Sequence, residues 1–197
     1  MPYIFTYYNP DSTIRFKEPL QIERCIEIKP NHQRCRRLVT IGINQCFQHM
    51  NNLKIKPSLI NDGGKGLFAY NKKLPPNSIL FQPNDKIINY LGENIDQNEL
   101  NRRYGEHTAP YAVKINSNHY IDSAIRRGIG SLSNKPDPHN NNPLLRQSNA
   151  TFSIDHRNHT ASIKATKNIR NNQEILTSYG RNYRLQDNFT TKYRPRR

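Results

Sequence analysis

From residue 53 onward the chain is a succession of short apolar runs, each stopped by turn residues. The runs lie at 53–55, 67–70, 79–81, 87–91, 111–115, 120–121, 152–154, 161–165 and 175–176. Between them stand Gly63-Gly64, Leu74-Pro75-Pro76-Asn77, Gly92, Asn116-Ser117-Asn118 and Arg170-Asn171-Asn172. Runs this short, punctuated by Gly, Pro and Asn, suit strands joined by tight turns and leave little room for long helices. The chain is therefore expected to be mainly β with short helices. One stretch, 96–104, reads as a short helix with Asp96 or Asn94 as its cap. Residues 135–148 (KPDPHNNNPLLRQS) form a Pro- and Asn-rich loop.

The 197 residues suffice for one domain of ordinary size with a small appendage. Residues 1–23 show little pattern and are expected to be an N-terminal arm. Residues 184–197 read as a basic tail. No stretch approaches the ~20 apolar residues that span a bilayer, so no membrane contact is expected. The polar start carries no signal-peptide core. Three cysteines, an odd number, speak against a disulfide framework and for a reducing, intracellular compartment. The nucleus would follow only from a chromatin substrate. Thirty Lys and Arg against 15 Asp and Glu give a formal charge of +15. That surplus favours polyanions such as nucleic acid or nucleosomes, beside the plainer reading of a well-solvated surface.

All three cysteines fall within residues 24–50, as Cys25, Cys35, Cys46 and then His49, a C-x9-C-x10-C-x2-H series. Four thiolate and imidazole ligands satisfy tetrahedral zinc. A segment this short buries too little apolar surface to order itself alone, and a metal would supply what is missing. Gly42 would help the last loop turn. His32 is a competing ligand, and small buried thiols packed on the main domain are the plainer alternative. The segment resembles short Cys3His zinc-knuckle modules in which basic residues follow a ligand, here Cys35-Arg36-Arg37.

Four further stretches matter by their order. They are Ile55-Lys56-Pro57 followed by Gly63-Gly64-Lys65-Gly66-Leu67-Phe68-Ala69; Ile87-Ile88-Asn89-Tyr90-Leu91-Gly92-Glu93; Tyr111 through Asp122 to Ser133-Asn134; and Asn149-Ala150-Thr151-Phe152, then Ile169-Arg170-Asn171-Asn172-Gln173-Glu174-Ile175-Leu176-Thr177-Ser178-Tyr179-Gly180. The glycines around Lys65 let the backbone approach a ligand closely. They do not form G-x-G-x-x-G before a helix, so a dinucleotide fold is not indicated. No acid–base pair stands out.

Taken together these stretches resemble the SET-domain protein lysine methyltransferases, over roughly residues 54–183. GKGLFA is similar to the family's opening G-x-G motif and INYLGE to its E-Y-x-G-E strand and turn. The twelve positions from Asp122 to Asn134 match the spacing that leads to its Asn-His-Ser motif, and NNQEILTSYG resembles its G-E-E-L-x-x-x-Y-G ending. The resemblance implies a β-clip SET fold with a C-terminal pseudoknot, preceded by the knuckle. It implies S-adenosylmethionine as methyl donor and a protein lysine as acceptor, with histone the default substrate.

By position, the resemblance places the donor on Gly64, Lys65, Gly66, Asn134 and Lys135. It assigns the methyl-transfer channel to Tyr179 and Tyr111, with Thr177 setting how many methyls fit and Tyr183 closing the lysine channel. Glu174 would support the final strand. The plainer alternatives are core aromatics for the two tyrosines and a turn residue for Asn134. Glu93, Glu99 and Glu106 are the residues that could make the channel mouth acidic enough to draw in a basic histone tail. Lys135 and Pro136 stand where the family usually has His and Ser, and about 14 residues intervene before Asn149 where relatives have about five. These departures leave room for a non-catalytic module of the same fold that binds nucleic acid or nucleosomes.

Overall fold

The structure is a computed structural model and describes residues 4–9, 11–40, 45–46, 49–105 and 109–180. Tyr183, Gly42, Glu106 and the basic tail lie outside the described residues.

The opening segment is a hairpin. Strand β1, Ile4–Tyr8, pairs antiparallel with β2, Ile14–Pro19. Alternation along β1 sends Phe5 and Tyr7 to one face. There they pack with Phe16 and Leu20 against Tyr104, Ala124 and Ile125. Tyr7 meets Tyr104 edge-to-face at 4.9 Å. The stretch expected to be a patternless arm is thus docked on the body by aromatic packing.

Strands β3, Ile22–Arg24, and β4, Leu38–Thr40, pair antiparallel with Cys25 and Cys35 between them in sequence, and Cys46 and His49 follow β4. Strand β5, Leu53–Pro57, and β6, Lys65–Ala69, form the next hairpin around the Gly63-Gly64 turn. Strand β7, Ile79–Phe81, follows, then β8, Lys86–Tyr90, and β9, Glu93–Ile95. Helix α1, Gln97–Tyr104, starts where the Asp96 carboxylate accepts from the Glu99 amide and stops at Gly105, whose φ is 64°. Strand β10, Ala112–Asn116, and β11, His119–Asp122, complete a three-stranded sheet with β9. Asp122 is fully buried and accepts from Arg103 Nη1 at 2.9 Å, the Tyr104 hydroxyl at 2.8 Å and the Ala124 amide at 3.0 Å, so it fixes α1 to this sheet.

Strand β12, Ala150–Asp155, and β13, Thr160–Ala165, form a hairpin that continues into β8. Strand β14, Ile169–Arg170, pairs with β7, and β15, Thr177–Ser178, adds parallel to β12. Leu67, Phe81, Ile129, Ile163, Ile169 and Ile175 fill the main core between these small sheets. Each buried side chain of this size is worth about 1.5–3 kcal/mol.

The ends of the 135–148 loop close over the last segment. The Thr177 amide donates to the Asn134 carbonyl at 2.9 Å, and the Asn149 and Ala150 amides both donate to the Leu176 carbonyl. The Asn149 side chain, buried, accepts from the Leu176 amide and donates to the Glu174 carbonyl. The terminal segment thus lies between the two ends of an earlier loop, the expected pseudoknot. A loop of 14 residues spans it as a shorter one would, because the bonds are made at the loop's ends.

Candidate functional site

The threaded segment determines which side chains meet. The Tyr179 hydroxyl donates to the Ser133 carbonyl at 2.7 Å. The next residue, Asn134, aims its amide Nδ2 at the early glycine turn, 3.2 Å from both the Gly63 and Lys65 carbonyls and 3.0 Å from Ser58 Oγ. Residues near 64, 134 and 179 are in this way linked through two consecutive backbone positions.

The two glycines beside Lys65 serve different ends. Gly64 has φ +60°, and a Cβ there would meet nothing within 4 Å. It is a left-handed turn residue facing open space. Gly66 has ordinary φ, but a Cβ would lie 2.2 Å from Glu174 Oε1. Glu174 is buried, accepting from Ser58 Oγ at 2.7 Å and the Leu59 amide at 2.8 Å. It ties the glycine turn to the final segment, in line with the supporting place expected for it. Lys65 and Lys135 are exposed.

Beside Tyr179 is a cavity of about 450 Å³, lined in part by Tyr90, Val113, Lys114, Ser133 and Phe152. Tyr90 packs edge-to-face on Phe152 at 5.3 Å, and Phe152 lies 6.3 Å from the Tyr179 ring. Burial pushes the Tyr90 phenol well above the usual range, so it stays protonated. Its hydroxyl donates to the Tyr111 carbonyl at 2.7 Å.

Tyr111 itself is placed elsewhere. Its ring packs edge-to-face on Phe5 at 5.8 Å and is covered by the Arg127 guanidinium at 4.1 Å. The docked hairpin supplies Phe5 and so draws the ring away from the cavity, which Pro110 and Ala112 line instead. The phenol that accompanies Tyr179 is Tyr90, which lay unremarked within INYLGE. Thr177 is also displaced from its expected place. It is fully buried, its hydroxyl bonded to Ser133 Oγ, while its neighbour Ser178 faces the cavity.

Glu93 and Glu99 make no acidic mouth. Arg103 bonds Glu93 at 2.8 Å and Glu99 at 2.6 Å, and Arg102 bonds Glu99 at 2.6 Å.

A family comparison matches the SET domain over residues 64–180. The chain belongs to the SET-domain family. Solved structures similar to it include ctPRC2 in complex with H3K27me3 and H3K27M, at 19% identity and TM-score 0.54, covering 69% of this chain and 15% of that one. A second is ctPRC2 in an autoinhibited conformation bound to S-adenosylmethionine, at 20% identity and TM-score 0.51, covering 66% and 15%. A third is a humanized mutant of the Chaetomium thermophilum Polycomb Repressive Complex 2 bound to the inhibitor GSK126, at 22% identity and TM-score 0.49, covering 66% and 15%. At these identities the likeness is one of fold, and it takes in only a small part of each neighbour. A comparison with curated protein sequences finds no match.

Ahead of the SET domain, Cys25, Cys35, Cys46 and His49 bring their ligand atoms within 4.8 Å of one another. Cys25 Sγ and Cys46 Sγ lie 3.5 and 3.4 Å from His49 Nδ1. Tetrahedral zinc, with bonds of about 2.3 Å to sulfur and 2.0 Å to nitrogen, requires sulfur–nitrogen edges of about 3.5 Å. The four residues therefore fit zinc. His32, the competing candidate, is exposed in a turn with φ 58°, outside the group. Burial raises the Cys25 thiol, but bonds from the Cys46 amide and from His49 outweigh it and bring it down to about 6, towards the thiolate a metal takes. Arg24 and Arg34 brace this segment by crossing over it. Each guanidinium bonds the other residue's carbonyl at 2.7 Å and a cysteine carbonyl, that of Cys35 or Cys25.

Proposed function

We propose that the protein methylates lysine side chains of other proteins, with S-adenosylmethionine as donor. The observation that carries this reading is the link from Tyr179 through Ser133 and Asn134 to the carbonyls of Gly63 and Lys65. It gathers a phenol, an amide and an open glycine turn around one region of a SET domain. One fold neighbour is bound to S-adenosylmethionine and another to H3K27me3.

S-adenosylmethionine, when bound, supplies a methyl group on a sulfonium. The donor's polar groups are assigned to the backbone of Gly64, Lys65 and Gly66 and to Asn134, with Lys135 at the rim. Gly64 leaves open space for close approach. Tyr179 and the Ser133 carbonyl sit at the cavity end, where oxygen atoms can hold a polarised methyl by weak C–H···O contacts. Tyr90 and Phe152 exclude water, and an aromatic cavity lowers the pKa of an entering lysine so that it arrives neutral. Alignment at about 3 Å then supplies most of the acceleration. No protein acid or base has to act in the transfer itself.

The non-catalytic alternative rests on Lys135 and Pro136 in place of the family's usual residues; the enzyme reading is supported by Asn134 Nδ2, which reaches the Gly63 and Lys65 carbonyls. Transfer of labelled methyl from S-adenosylmethionine to protein lysine decides between them. Transfer by the wild type and none by Tyr179→Phe supports the enzyme. Failure to bind the donor, with binding to DNA that weakens steeply as salt rises, supports the alternative.

A further inference from the structure

Ser58 stands behind the glycine turn, and its hydroxyl joins three segments that are far apart in sequence. Its Oγ donates to Glu174 Oε1 at 2.7 Å and accepts from the Ile60 amide and from Asn134 Nδ2, both at 3.0 Å. A hydroxyl has one hydrogen and two lone pairs, so all of them are used. Each bond also has a fixed direction. The Gly63 and Lys65 carbonyls, 3.2 Å from Asn134 Nδ2, can only accept, so Asn134 turns its NH2 inward. The Ile60 amide can only donate, which leaves the Ser58 hydrogen for the carboxylate. Gly63 makes room for this hydroxyl, since a Cβ there would lie 2.7 Å from Ser58 Oγ.

The hydroxyl is not what closes the turn. The Ser58 amide donates to the Gly64 carbonyl at 2.9 Å and the Gly63 amide to the Ile60 carbonyl at 3.0 Å. Nor does it hold the Asn134 backbone, whose carbonyl accepts from the Thr177 amide at 2.9 Å. What depends on it is the Asn134 side chain. Glu174 is buried, and its Oε1 lies 3.3 Å from Asn134 Nδ2. Without the Ser58 hydrogen, that oxygen draws the Asn134 amide into a charge-assisted bond and away from the turn carbonyls. We propose, resting on the lysine-methylation reading, that Ser58 is a positioning residue for the methyl donor: by satisfying Glu174 it keeps the Asn134 amide on the glycine turn to which the donor is assigned. The Tyr179 hydroxyl and the Ser133 carbonyl bond each other, so the methyl-transfer end of the cavity does not depend on Ser58.

The experiment compares Ser58→Ala with the wild type, both as the full chain, with the melting temperature confirming that the variant folds. Ser58→Ala is expected to raise the KM for S-adenosylmethionine and the Kd of S-adenosylhomocysteine by about three- to tenfold, the worth of one hydrogen bond. At saturating donor, kcat and the KM for the protein that the wild type methylates should stay within about twofold. A raised KM with unchanged kcat marks lost donor binding, whereas a general loosening of the fold moves all three. In an Asn134→Ala background, Ser58→Ala should weaken S-adenosylhomocysteine by no more than about twofold further, because it acts through that side chain. Donor affinity unchanged in Ser58→Ala, kcat and protein KM worsening along with it, or full additivity with Asn134→Ala overturns the inference alone. Donor bound by the wild type without transfer to any protein overturns the methylation reading and leaves the inference to the Kd values. No donor binding at all overturns both.

Discussion

The Tyr179 hydroxyl donates to the carbonyl of Ser133, 46 residues earlier, across a segment threaded between the ends of a loop. Only this threading brings the phenol beside Asn134. Tyr179→Phe keeps the ring against Phe152 and removes the hydroxyl. It is expected to lower methyl transfer by at least about 10²-fold, the scale of losing one well-placed polar group in an active site. Stability should fall by no more than about 1 kcal/mol, the net worth of a single hydrogen bond. Labelled-methyl transfer and denaturant unfolding check the two halves separately.

The glycines flanking Lys65 should fail in different ways. Gly66→Ala drives a methyl group into the Glu174 carboxylate, 2.2 Å from the ideal Cβ. It is expected to cost about 1–3 kcal/mol through overpacking. Gly64→Ala meets no atom but must hold φ +60°, which costs about 1–2 kcal/mol for an L-residue. Asparagine tolerates that backbone region, so Gly64→Asn should recover part of the loss while Gly66→Asn should not. Urea unfolding of the four variants gives the comparison.

The order of the motifs was legible because each is local: GKGLFA makes a turn and strand, and Asp122 to Asn134 keeps its spacing. The cap at Asp96 and the four metal ligands could be read for the same reason. What misled was partnership at long range. Tyr111 leaves the cavity because Phe5 and Arg127 hold its ring, and the alternation of Phe5 and Tyr7 was the signal overlooked in the opening segment. Thr177 lies in a strand of two residues, too short for period-two reasoning to say which face it takes. Glu93 and Glu99 looked available as an acidic mouth, but Arg103 occupies both.

Zinc should be present at one ion per chain and should hold the segment around Cys25, Cys35, Cys46 and His49 in place. That segment's own buried cluster consists of the three cysteines and Val39. Chelation, or Cys46→Ser, is expected to expose the amides of residues 24–40 to hydrogen exchange while the main SET core stays protected. Metal analysis with exchange mass spectrometry measures both.

Acid should loosen helix α1 in a defined window. The Arg102 guanidinium, bonded to Glu99, holds its carboxyl down to about 2 against the opposing effect of burial, with Arg103 adding to the pull. A carboxylate lowered on folding stabilises the protein above its unfolded pKa of about 4.3. That contribution is lost as pH falls from there through about 2. Glu99→Gln should flatten this part of the stability curve, measured by urea unfolding at stepped pH.

A crystal structure with S-adenosylhomocysteine gives the sharpest answer. The expected result places the ligand against the backbone of residues 64–66 and Asn134, with its sulfur facing the Tyr179 hydroxyl and the aromatic cavity beyond. Ligand bound away from that turn, or none bound at saturating concentration, contradicts the proposed chemistry.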